Sequence, residues 1–103
     1  MIIVLDKAGK AQLEDSGNFK NFKILAPAGQ ADAGNVAILL GPLGSPDDNG
    51  THIWVSIPVF LERFGSDRAK EWHESFHQMI DSVAKYGLLN ADRSAVRSHI
   101  ETV

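Results

Sequence analysis

Asp67-Arg68-Ala69-Lys70-Glu71-Trp72-His73-Glu74-Ser75-Phe76-His77-Gln78-Met79-Ile80-Asp81-Ser82-Val83-Ala84-Lys85-Tyr86 is the segment on which the architecture turns. At about 100° per residue, Ala69, Trp72, Phe76, Met79, Ile80, Val83 and Tyr86 fall in one stripe, and Glu74, Gln78, Asp81 and Lys85 lie opposite. The spacing predicts an amphipathic helix over Asp67 to Tyr86. Ser66 or Asp67 can accept a bond from the free N–H groups of its first turn, Glu71 and Glu74 suit the positive end, and Gly87 suits the left-handed position past the last turn. Asp81 and Lys85 form a favourable i,i+4 pair. Such a stripe needs a surface to cover, and the remaining sequence supplies β structure.

Towards the N-terminus, Ile2-Ile3-Val4-Leu5 has the continuous apolar pattern of a buried strand. Lys7-Ala8-Gly9-Lys10 is a turn, and Ala11 to Glu14 is the hairpin return. Phe19 to Leu25 fits either period and is read as a strand, ended by Pro27. Residues 26–35, rich in Ala and Gly, read as a flexible loop. Val36-Ala37-Ile38-Leu39-Leu40 reads as a central strand buried on both faces, followed by a turn-dense run from Gly41 to Gly50. Thr51 to Ile57 is the next strand, with Ile53, Val55 and Ile57 on one face and His52, Trp54 and Ser56 on the other. Pro58 stops that ladder, so Val59 to Phe64 is expected to be a short helical turn. Ala95 to Thr102 alternates as a strand, with a terminal helix capped by Asp92 as the alternative.

The fold expected from these elements is α+β. It has a mainly antiparallel sheet of about four or five strands with one long helix, about 67–86, packed on one face, and a ferredoxin-like arrangement is one candidate. The chain has 103 residues, 44% hydrophobic and 22% charged, as suits one domain spanning 1–103. No apolar run is long enough to cross a membrane as a helix. Asp6 closes the opening apolar run with no basic region before it, so the expected location is the cytoplasm. The absence of Cys rules out disulfides and thiolate chemistry. A net charge of −3 without a basic block speaks against nucleic acid.

His73-Glu74-Ser75-Phe76-His77 matches H-E-x-x-H, the signature of zincin metallopeptidases. Imidazoles four apart stand one turn above each other and can share a zinc ion, while the Glu between them faces the metal-bound water as general base. His73 and His77 are thus candidate metal ligands and Glu74 a candidate catalytic base. The resemblance covers five residues. A metzincin would require Gly and His where this chain has Ile80 and Val83, which excludes that subclass. Glu101 or Asp81 would have to be the third ligand. The alternative places two histidines at the edge of a buried stripe, packed beside Trp72 and Phe76.

His52 and His99 lie on the polar faces of their strands and meet only if those strands are neighbours. Trp54 shares a face with His52 and marks either a ligand pocket or a subunit contact. Gly41-Pro42-Leu43-Gly44-Ser45 lacks the G-K-[ST] of a phosphate loop and reads as a turn. Arg63 and Arg68 frame the turn before the long helix, as a solvated charge pair or an anion site. Two functions follow. The first is a small cytoplasmic interaction or ligand-binding domain without catalysis or cofactor, forming a homodimer or taking a small ligand through the exposed sheet face. The second is a minimal zinc hydrolase built on His73, Glu74 and His77.

Overall fold

Alternating side chains and tight turns build the first half of the sheet. The computed structural model describes residues 1–102. Ile2–Leu5 (β1) and Ala11–Glu14 (β2) form an antiparallel hairpin. The Asp6 carboxylate accepts the N–H groups of Ala8 and Lys10 at its turn, each at 2.9 Å, while Gly9 takes a φ of 86°. Lys23–Ala26 (β3) lies beside β1 in parallel. Ala33–Leu40 (α1) follows, then a single 3-10 turn at Gly41–Leu43 and the short strand Gly44–Pro46 (β4). His52–Ser56 (β5) leads into the helices Ile57–Phe64 (α2) and Lys70–Ala84 (α3), and Ala95–Thr102 (β6) closes the order as a strand.

The sheet has six strands in the order β2-β1-β3-β6-β5-β4. It is mixed: β1 with β3 and β3 with β6 are parallel, and the other pairs are antiparallel. The fold is α+β as expected, but the mainly antiparallel sheet of fewer strands and its ferredoxin-like form are not what the chain adopts. Alternation fixes which side chains face the core and carries no information on strand direction, which here is set by the crossovers on either side of β3.

The expected single helix is replaced by three. Val36 to Leu40 is not a strand but the end of α1, whose buried residues Ala33, Val36 and Leu40 recur at helical spacing while Ile38 is 79% exposed. Asp32 caps it by accepting the N–H of Asn35 at 2.9 Å, and Gly41, with a φ of 60°, ends it. Those two residues outweigh the β preference of Val36 and Ile38. The stretch read as a loop over 26–35 therefore contributes Ala26 to β3 and Ala33 to α1, both buried.

Ile57 to Phe64 is likewise a full helix rather than a turn. Ser56 accepts the N–H of Val59, and Pro58 occupies the first turn, where its missing N–H has no cost. The long helix is correspondingly shorter than expected. It begins after Ala69, which gives no side-chain cap, and Tyr86 falls beyond it and is 79% exposed. Asp81 bonds Arg93 at 2.9 Å instead of pairing with Lys85.

One apolar cluster joins the inward face of the sheet to all three helices, from Ile3, Ile24 and Ile53 to Val36, Phe60, Phe76 and Ile80. Its centre is a run of rings: Phe60 stacks on Phe76 at 5.3 Å, and Phe76 on Trp72 at 5.4 Å. Phe19 and Phe22, expected in a strand, instead pack against it from the β2–β3 connection. No helix of the described residues is long and apolar enough to cross a membrane. With the helices on one side, the other face of the sheet is uncovered.

Candidate functional site

The histidines of α3 are turned to separate tasks. His73 is half-buried, and its Nε2 lies 2.8 Å from the carbonyl oxygen of Gly65. A carbonyl only accepts, so Nε2 carries the hydrogen and donates it. The close approach needs glycine: a Cβ on Gly65 would stand 2.8 Å from the Leu61 oxygen and 3.2 Å from Cε1 of His73. The bond ties α3 to the end of α2. Trp72 meets the His73 ring edge-on at 5.2 Å and donates its Nε1–H to the Ser16 oxygen at 2.9 Å, while Arg68 donates to the Ser16 hydroxyl at 2.8 Å.

His77 is exposed and rests edge-on against Phe76 at 5.8 Å, and Glu74 is exposed within 3.9 Å of Lys70. Neither carboxylate considered as a third ligand joins them. Asp81 is held by Arg93, and Glu101 projects from the uncovered face of the sheet, opposite the helices. Among the described residues no three His, Asp or Glu side chains form a group that could hold a metal ion.

The uncovered face does bring separate segments together. His52 and His99 are direct cross-strand partners, as are Trp54 and Arg97. Asp47, from the β4–β5 turn, is buried beneath Arg97: its carboxylate accepts the N–H groups of Thr51 and His52 at 3.0 and 3.2 Å, and Arg97 Nε and Nη2 at 3.1 and 2.9 Å. Burial by itself raises the carboxyl's pKa, but the bonds from His52, Thr51 and Arg97 more than reverse this and hold it below its ordinary value. Beside them Glu101 bonds His99 at 2.7 Å and Lys23 at 3.1 Å, and these two donors, His99 foremost, keep its carboxyl below the usual range.

Trp54 stands between two depressions. The larger, about 760 Å³ and open to solvent, is bordered by Ser45 and Ser56 on one side and by Leu89, Asn90 and Ser94 on the other. No charged side chain lines it. Ser56 Oγ accepts the Val59 N–H and keeps its own hydrogen to donate, and Ser45 Oγ has no partner among the described residues. Asn90 and Ser94 are locked into their turn, with the Ser94 N–H donating to Asn90 Oδ1 at 2.9 Å. The Ser94 hydroxyl in turn donates to Asp92, and that bond foremost lowers the Asp92 carboxyl. The smaller depression, about 180 Å³, lies over Arg97 and Asp47.

Alternation along β5 placed Trp54 and His52 together, but the Asp47–Arg97 pair was missed. Asp47 read only as one turn former among several, and nothing local links it to a residue on the last strand. Of the run from Gly41 to Ser45 read as a turn, Gly41–Leu43 is a single 3-10 turn but Gly44 and Ser45 belong to β4, and Gly41, Pro42, Gly44 and Ser45 border the larger depression. Arg63 and Arg68 border a different groove, beside β2. Comparison with known protein families, with curated proteins and with solved structures finds no match.

Proposed function

We propose that the protein is a small cytoplasmic binding domain without catalysis or cofactor, and that it takes a neutral ligand with a flat face over Trp54. The supporting observation is the larger depression. An indole ring lines a ligand-sized space whose rim offers the unpartnered Ser45 hydroxyl, the donor hydrogen of Ser56 and no charge. Clefts of roughly 300–1,000 Å³ with an apolar floor and a few placed polar groups are the usual form of small-molecule sites. Of the two occupants expected for this face, a second copy or a small ligand, the hydroxyl donors set beside the indole favour the ligand. The ring supplies affinity by stacking, and the hydroxyls orient polar substituents.

The test is a fragment screen by NMR with neutral single-ring amides and sugars. Binders should shift the Trp54 indole N–H together with the Ser45 and Ser56 amides, and Trp54→Ala should abolish the shifts. Binders that act elsewhere, or are indifferent to Trp54→Ala, contradict the proposal. Elemental analysis after growth in zinc-replete medium addresses the hydrolase reading. Stoichiometric zinc that is lost in both His73→Ala and His77→Ala would replace the binding domain with the enzyme.

A further inference from the structure

The two edges of the sheet are unlike. β4 is three residues long, ends in Pro46, and is crowded at Gly44, where a Cβ would meet Ile53 and Leu40 at 2.7 and 2.8 Å. A proline at a short, crowded edge is a common guard against strand addition. β2, at the opposite edge, has no such guard. The Asp6 N–H donates to the Lys10 oxygen at 3.1 Å, which makes 6 and 10 a hydrogen-bonded pair. Alternation along the antiparallel ladder then turns the backbone groups of Gln12 and Glu14 towards β1 and those of Ala11 and Leu13 outward. Beside this edge runs a groove of about 560 Å³, walled by Phe64, Ser66 and Asp67 and flanked by Arg63 and Arg68.

We propose that β2 is the seat of a symmetric homodimer, in which β2 of a second copy adds antiparallel to it and makes one continuous sheet. The sequence of the edge is self-complementary in that register. With Gln12 opposite Gln12 on the two-fold axis, Ala11 of each copy exchanges both backbone bonds with Leu13 of the other, and the outward groups of both strands are satisfied. The same register sets Lys10 against Glu14 at each end. Both are exposed, and neither forms an ion pair among the described residues. They fall at non-hydrogen-bonded positions, where cross-strand side chains come closest. The groove leaves room for the added strand. Trp54, on β5 near the far edge, stays free, so this inference is independent of the ligand proposed there.

Sedimentation equilibrium over a wide concentration range tests it with exposed substitutions that leave the core alone. The wild-type chain should dimerise. Lys10→Glu and Glu14→Lys should each weaken the dimer by on the order of tenfold, because each places like charges opposite one another at both ends. An equimolar mixture of the two variants should recover association as a heterodimer, since both ends then set an acidic side chain of one variant against a basic side chain of the other. The doubly substituted chain should again pair with itself. Trp54→Ala, which adds no charge opposite Arg97, should leave the mass unchanged. A monomer at every concentration, which would leave the edge to a foreign strand, overturns the proposal. So does a dimer indifferent to both reversals, one that mixing fails to restore, or one lost in Trp54→Ala.

Discussion

The four histidines form two pairs that reach opposite outcomes. His73 and His77 share a helix and a motif, yet one ring is bound to the Gly65 carbonyl and the other lies in solvent against Phe76. His52 and His99 belong to distant segments, yet they stand directly opposite each other on adjacent strands, beside the Asp47–Arg97 pair. Spacing on a helix brings two side chains to one flank, but what each touches depends on what packs there. Register across a sheet can join residues that no motif connects.

The largest expected effect lies beneath the first pair. Phe76→Ala removes the middle ring of the Phe60–Phe76–Trp72 stack and should cost about 3–5 kcal/mol in denaturant unfolding. A loss near that of a surface substitution would mean that the rings do not form the core.

The next effect separates the two motif histidines. His73→Ala removes one of the two donors of the buried Gly65 carbonyl, which keeps the Arg68 N–H at 3.1 Å, and should cost about 0.5–1.5 kcal/mol. His77→Ala should stay within about 0.5 kcal/mol. Equal costs that appear only when zinc is added would instead make the two rings a working pair.

The smallest effect concerns the uncovered face and is read by pH. The Asp47 carboxyl is held below its ordinary value, so its stabilisation is fully present above 3.8 and is lost as the pH falls through its lower folded value. Acid titration should therefore show a shallower loss of stability in Asp47→Asn than in the wild-type chain. Identical acid limbs would show that the Arg97 pair does not contribute to this titration.

Much of the strand layout was legible because its signals are local: a continuous apolar run marks β1, a glycine turn its hairpin return β2, and alternation β5 and β6. The core of α3 was legible for the same reason, through Phe76, Met79 and Ile80. The helix at Val36–Leu40 does carry a local signal, since Asp32 before the run and Gly41 after it are a cap and a stop. Taking the five apolar residues alone favoured a strand, because short apolar runs do not distinguish the two periods. Trp54's face was readable from β5, but its neighbours Arg97, Asp47 and Asn90 were not, because they arrive from other elements.

From the sequence alone came the α+β class, the inward and outward sides of β5 and β6 and the apolar stripe of α3, since each follows from side-chain spacing along a few consecutive residues. Only the tertiary structure decided the parallel pairings around β3, the union of Asp47 with Arg97, the bond of His73 to the Gly65 carbonyl and the bare edge at β2. Each of these depends on which segments lie side by side after the chain has crossed over itself, and the free energy that selects such neighbours is shared across the whole core rather than written at any one position.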